Sequence, residues 1–325
     1  MKKRLIQLAQ PLLSSFGLRL RRETDDLRLQ ESHALLSEIV HQRQCGDACP
    51  QAVGITFIIF SKDRALQLDG LLQSILHHVT GTYSIHVLYC ASREAHRVAY
   101  QEVAERVPAA HNIQWIQETD FHSDLVTTLK AIETESVCFL VDDIVFIRPV
   151  NLDEIPHEAI RTGIVSLRLG RNITFCYTKQ KAMHQPNLSS NPASKNLLQF
   201  TWDDGNYDWG YPLSVDGHIF PTSELAIAAQ RLNYKAPNTF ERALQILSPL
   251  YAKRPGYCFE SPRMVNIPLN RVQDEVNNIS GDISPEELLT KWNQGLTINF
   301  NMLSNIQTRC VHEEISIFYI KRQTH

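Results

Sequence analysis

From Gly54 onward the chain alternates short apolar runs with stretches whose apolar residues recur every three or four positions. That alternation is the pattern of a layered α/β domain. The first run, Ile55-Thr56-Phe57-Ile58-Ile59-Phe60, is almost wholly apolar, which predicts a strand buried on both faces and hence a parallel sheet. After Ser61-Lys62-Asp63-Arg64, the residues Leu68, Leu71, Leu72, Ile75, Leu76 and Val79 line one face of a helix that Gly81 stops. The unit repeats. Ile85 to Cys90 leads into a polar helix near Arg93 to Arg106, and Ile113 to Ile116 precedes a helix carrying Leu125, Val126, Leu129 and Ile132.

A fourth run, Val137-Cys138-Phe139-Leu140-Val141, ends abruptly in Asp142-Asp143 before the chain becomes apolar again at Ile144 to Ile147. Ile164 to Leu169 reads as a further strand, and the Asn-, Ser-, Pro- and Gly-rich stretch from Arg171 to Gly210 as a long loop. Asp216-Gly217, between apolar residues of Tyr211 to Phe220, has the sequence of a tight hairpin turn. Helices are expected near Ser223 to Leu232 and Asn238 to Leu247, the second stopped by Pro249. The rest mixes a strand at Met264 to Ile267, a helix opened by Ser284-Pro285-Glu286-Glu287, and an apolar Ile315 to Ile320.

Composition narrows the class. With 325 residues, 43% of them apolar, and only 13 Gly and 15 Pro, the chain is neither fibrous nor disordered. Thirty-two Lys and Arg against 35 Asp and Glu leave a formal charge of −3, so no global positive field exists to hold nucleic acid. Seven dispersed cysteines do not form a disulfide framework. Cys45 and Cys49 lack the second Cys or His pair that structural zinc requires. A reducing, cytoplasmic location fits. No stretch approaches the roughly 18 to 20 uncharged apolar residues of a membrane-spanning helix. Residues 1–22 place Lys2, Lys3, Arg4, Arg19, Arg21 and Arg22 around Leu5, Ile6, Leu12, Leu13 and Phe16. This predicts a helical, partly basic extension packed on the domain, with peripheral contact at the inner face of a membrane as the alternative.

The strongest chemical signal is Asp142-Asp143, because ligands of open α/β sheets bind outside the carboxyl ends of the strands. Carboxylates there can hold a hard divalent cation while leaving positions for phosphate oxygens and water. The plainer reading is a surface turn whose acids bond nearby backbone. No phosphate-binding Gly-rich loop, dinucleotide fingerprint or Gly-x-Ser-x-Gly elbow is present in the sequence.

Phe60-Ser61-Lys62-Asp63-Arg64, Leu68-Asp69-Gly70-Leu71-Leu72 and Leu140-Val141-Asp142-Asp143 together resemble the GT-A class of nucleotide-sugar glycosyltransferases. Ser214-Val215-Asp216-Gly217-His218-Ile219-Phe220 and Val265-Asn266-Ile267-Pro268-Leu269-Asn270-Arg271-Val272-Gln273 are similar to bacterial, family 2-like members. The acid motif departs from the class in having Ile144 where many members carry a third-position Asp. The resemblance implies a mostly parallel central sheet flanked by helices, with a Rossmann-like nucleotide-binding half and an acceptor-side hairpin and helices. It divides the chain into an N-terminal extension (1–50), a catalytic domain (51–270) and a C-terminal segment completing the active site (271–325).

The implied activity is transfer of a sugar from a nucleoside diphosphate to a hydroxyl of a saccharide or lipid-linked acceptor, inverting and dependent on Mn²⁺ or Mg²⁺. Ser61, Asp63, Arg64 and Asp142 would bind the nucleotide sugar. Ser61 or Asp63 acting as a helix cap is the competing reading. Asp143 and His312 would hold the cation. Glu241 would be the base, although its spacing from Asn238 also matches a capping box. Trp209, Asp216 and His218 would lie on the acceptor side, the aromatic residue equally suited to packing the long loop onto the sheet. A nucleotidyltransferase of similar fold, or a non-catalytic sugar- or lipid-surface-binding protein, are the alternatives.

Overall fold

Alternate residues of the first strand face opposite sides, and both sides are covered. In the computed structural model, which describes residues 23–45, 52–108, 111, 113–191, 194–269 and 283–322, β1 (Ala52–Lys62) sends Ile55, Phe57 and Ile59 into one apolar core and Ile58 and Phe60 into another. The chain leaves β1 through α2 (Ala65–His78) to β2 (Tyr83–Cys90), then through α3 (Glu94–Arg106) to β3 (Ile113–Gln117), each strand parallel to the last. Both crossover helices lie on the same face, as Leu68, Leu71 and Leu72 of α2 and Ala99, Tyr100 and Val103 of α3 share one core.

α4 (Phe121–Ala131) then crosses on the other face, with Phe121, Leu125 and Leu129 in the second core, to β4 (Thr134–Val141) on the far side of β1. Strand order therefore reverses between β1 and β4. Beyond them lie β5 (Ile164–Ser166), β6 (Ser189–Asn191), β7 (Ser194–Thr201), β8 (His218–Pro221) and β9 (Pro255–Phe259). The nine strands are ordered β6-β7-β9-β5-β8-β4-β1-β2-β3. β7 and β8 run against the rest, so the sheet is mixed but mostly parallel. α5 (His157–Thr162) precedes β5. α1 (Glu23–Cys45) packs Leu35 and Ile39 on the second face beside α6 (Thr222–Arg231) and α7 (Pro237–Leu244). After the short α8 (Ser248–Tyr251), α9 (Pro285–Asn293) closes the first core with Leu288 and Trp292.

Several sequence expectations change. The stretch from Arg171 to Gly210 is not one loop, because β6 and β7 within it extend the sheet. Leu197, Leu198 and Phe200 are buried although Ser194, Lys195, Asn196 and Gln199 interrupt the apolar pattern. Asp216-Gly217 is not a hairpin turn. β8 pairs with β4 and β5 and not with the residues before it, and Gly217 sits in the left-handed region at φ +80° as the chain turns into that strand. α2 ends at His78, before Gly81, because Val79 and Thr80 pair with Val150 and Asn151. Pro249 does not end a helix but lies in the first turn of α8. Only Tyr319–Lys321 of the C-terminal apolar run is strand, paired with Leu296–Ile298. The helix expected after Ser284 is α9, its first turn capped by the Ser284 hydroxyl accepting the Glu287 N–H at 3.1 Å. Residues 1–22, Cys49, His325 and the Asn270 to Gln273 part of the second bacterial motif lie outside the described residues, as does the side chain of Cys45. No described helix is long and apolar enough to cross a membrane.

Candidate active site

The reversal between β1 and β4 opens a crevice at the carboxyl ends of the strands, and the acids stand in it. Asp142, 3% exposed, accepts from the Arg64 guanidinium at 2.8 Å on Oδ1 and from the Ser61 hydroxyl at 2.7 Å and the Lys62 N–H at 3.3 Å on Oδ2. Because Ser61 spends its proton on Asp142, the buried Tyr100 hydroxyl, 2.7 Å away, donates to Ser61 and accepts the Arg64 N–H at 3.0 Å. Asp63 adopts a left-handed φ of 55° and accepts the Ser92 N–H at 2.8 Å. Neither Ser61 nor Asp63 caps α2, whose N-cap is Arg64, so the capping alternative falls away.

Arg64 also reaches Asp143 at 3.3 Å, while Asn266 donates its amide to the other Asp143 oxygen at 2.8 Å. Burial pushes the Asp143 carboxyl up to about 6. Arg64 opposes the rise, and Asp142 and Asp216 add to it. Asn266 also brackets His312: its N–H donates to the Val311 carbonyl at 2.9 Å and its carbonyl accepts the Glu313 N–H at 3.0 Å. One residue thus sets the C-terminal chain in register with Asp143.

Facing this half is a second charged group. Arg168, 3% exposed and just beyond β5, donates to Asp216 at 3.0 Å and to Asp208 at 3.3 Å. The same Asp216 oxygen lies 3.3 Å from His312 Nε2. Burial alone would raise the Asp216 carboxyl, but His312 and Arg168 outweigh it and hold it at about 2. Burial disfavours the His312 imidazolium, yet the bond to Asp216 and its charge raise the pKa above the ordinary histidine value. Glu241 joins them from α7. Burial pushes its carboxyl up to about 7, with Asp216 adding to the rise and with Arg168, His312 and a Ser214 hydrogen bond opposing it. The Tyr211 hydroxyl bonds the same carboxylate and is raised, first by burial and then by the Glu241 charge.

The capping-box reading of Glu241 does not hold. The N-cap of α7 is Ala236, not Asn238, and Thr239 Oγ1 accepts the N–H groups of Lys235 at 3.0 Å and Ala236 at 2.9 Å. Two acceptor-side expectations are also corrected. Trp209 is fully buried, donating its indole N–H to the Ile173 carbonyl at 2.8 Å. His218 is fully buried too, with Nδ1 bonded to the Pro212 carbonyl at 3.0 Å. Burial and then the Arg168 charge lower its pKa to about 3. A neutral core histidine is the result. Asp216 lies between Arg168 and His312. No local motif marks Arg168 or Tyr100, and Asn266, although within the Val265 to Gln273 motif, had no role assigned to it from sequence. Their shared property is placement at the carboxyl ends of strands or under the crevice.

The donor set suits a hard cation only in company. Among the described residues no three His, Cys, Asp or Glu side chains converge to hold a metal by themselves. Asp143 and His312 supply two ligand types, and Asp216 Oδ1 is buried without a hydrogen-bond partner. A cation using Asp143 and His312 would take its remaining ligands from substrate phosphates and water, as Mg²⁺ commonly does.

The site is thus the switch point of an open, mostly parallel α/β sheet that carries paired acids, with a further acid and a histidine brought over it. In sequence, the chain is 29% identical over 262 residues to the bifunctional glycosyltransferase pgtA of Dictyostelium discoideum, covering 69% of this chain and 33% of the relative. The chain therefore spans about a third of that relative's length. No family model matches. Similar solved structures include S. aureus TarS 1-349 in complex with UDP, at 14% identity and TM-score 0.44 over 73% of this chain and 64% of that one. Another is the mannosyltransferase PcManGT from Pyrobaculum calidifontis in complex with GDP-Man and Mn²⁺, at 15% identity and TM-score 0.27 over 44% of this chain and 47% of that one. The sequence relationship is to a glycosyltransferase.

Proposed function

We propose that the protein transfers a sugar from a nucleoside-diphosphate sugar to a hydroxyl group of a saccharide or lipid-linked acceptor, with inversion at the anomeric carbon. The observation that carries this reading is the placing of Glu241, held at a pKa of about 7, beside Asp216 and His312, which also act on Asp143. A carboxyl poised near neutrality suits a general base. Glu241 takes the acceptor proton as the acceptor oxygen bonds to the anomeric carbon. The bond from that carbon to the phosphate oxygen breaks, and its electron pair leaves with the diphosphate. Asp216 sits much lower, at about 2, and is the weaker base of the two.

Ser61, Asp63, Arg64 and Asp142 are assigned to the nucleotide and its ribose, since Asp63 and Asp142 accept hydrogen bonds and Arg64 meets phosphate. Asp143 and His312 would hold Mn²⁺ or Mg²⁺, which would supply charge neutralisation for the departing diphosphate. Residues 51–270 are read as the catalytic unit, and 271–325 as the segment that completes it by carrying His312. The deciding experiment is calorimetric titration of the full chain with uridine or guanosine diphosphate, with and without Mn²⁺. Metal-dependent binding of one of them, lost in Asp143→Ala, is expected. Failure to bind any nucleoside diphosphate overturns the reading.

A further inference from the structure

We propose that Asp216 is a positioning residue that selects the tautomer of His312, so that the imidazole offers its Nδ1 lone pair to a divalent cation shared with Asp143. This rests on the transferase reading for the identity of the site, but the tautomer itself follows from geometry. An ionised carboxylate only accepts hydrogen bonds, and a neutral imidazole carries one N–H and one lone pair. With Nε2 lying 3.3 Å from Asp216 Oδ2, the proton belongs on Nε2 and the lone pair on Nδ1. Metal-binding histidines commonly give their other N–H to a carboxylate in this way.

Both partners are held too firmly for the pairing to be casual. Asp216 is 6% exposed, and the oxygen facing His312 also accepts from Arg168 at 3.0 Å. Arg168 is itself anchored by Asp208. Next to Asp216, the Gly217 N–H donates to the Phe139 carbonyl of β4 at 2.8 Å, and its carbonyl accepts the Leu167 N–H beyond β5 at 2.9 Å. His312 is bracketed by the backbone of Asn266, whose side chain bonds Asp143. Asp143 and Asp216 are thus both fixed to the end of β4, His312 is fixed by Asn266, and the ring nitrogen turned away from Asp216 is left to meet a ligand.

The test is ¹⁵N NMR of histidine-labelled full chain at alkaline pH, where the ring is neutral. The His312 signals among the 13 histidines are assigned by their loss in His312→Gln. A protonated Nε2 and a lone-pair Nδ1 are expected. A protonated Nδ1 in the unmodified protein overturns the proposal, with no variant needed. In Asp216→Asn, whose amide offers a donor as well as an acceptor, the tautomer preference should weaken. Mn²⁺ affinity, read by electron paramagnetic resonance with a nucleoside diphosphate present, should fall on the order of 10- to 100-fold. Unchanged Mn²⁺ affinity in that variant rejects the positioning role. A protein that shows the expected tautomer yet binds no nucleoside diphosphate leaves the imidazole assignment standing and removes the transferase reading instead.

Discussion

Glu241 is the residue where local chemistry and overall placement matter most. A base with a pKa of about 7 predicts that log(kcat/KM) rises with unit slope as pH approaches 7 and flattens above it. Glu241→Gln keeps the shape but cannot take a proton. Its turnover should fall on the order of a hundredfold or more with nucleoside-diphosphate affinity retained, which single-turnover kinetics and calorimetry would check. The same shift has a stability consequence. The folded pKa lies above the unfolded value of about 4.3, so the stabilisation is full below that value and is lost as pH rises through about 7. Glu241→Gln should therefore melt higher than the unmodified protein at about pH 8, by on the order of 2 °C, with no gain at about pH 4. A melting point unchanged at both values would remove the buried-acid assignment.

At the scale of elements, the base is only as well placed as the start of its helix. Thr239 Oγ1 takes two backbone N–H groups at the first turn of α7. Thr239→Ala should cost about 0.5–2 kcal/mol in urea denaturation, and Thr239→Ser should restore most of it. The Asn-x-x-Glu spacing pointed to a different cap, because a pattern of residue types does not show where helical backbone begins. Gly217 is the second such element. Its φ of +80° strains any side chain, and an added Cβ would lie 2.5 Å from the Met264 thioether. The flexible Met264 can move aside, but the backbone cannot. Gly217→Ala should destabilise by about 1–3 kcal/mol and displace Asp216. Chemical denaturation, with nucleotide binding measured in parallel, checks both.

For the molecule as a whole, two cores press on one sheet, and Leu288, Trp292, Ile298 and Leu303 of the C-terminal region belong to the first of them. Trp292 is fully buried there, donating to Glu102 at 2.7 Å and lying 3.7 Å beneath the Arg322 guanidinium. Its loss in Trp292→Ala should cost about 3–5 kcal/mol in equilibrium unfolding. Nucleotide binding should weaken as well, because Leu288, Leu289 and Trp292 of α9 lie beside Asp63, Arg64 and His96.

The repeated strand and helix units, the parallel centre of the sheet and the position of Asp142-Asp143 at a strand end were all legible in the chain. Each depends on periodicity within a few residues, which backbone geometry converts directly into buried faces. The strands inside the polar stretch from Arg171 to Gly210 were not, since their burial is set by the neighbours they pair with. Only the tertiary structure brought Arg168 to Asp216, 48 positions away, and Asn266 to Asp143, 123 positions away. It also withdrew Trp209 and His218 into the core. Side-chain type alone could not do this, because an aromatic ring or an imidazole has the same chemistry at a sugar site as in a core. What separates the two is desolvation, and that is determined by parts of the chain far from the residue itself.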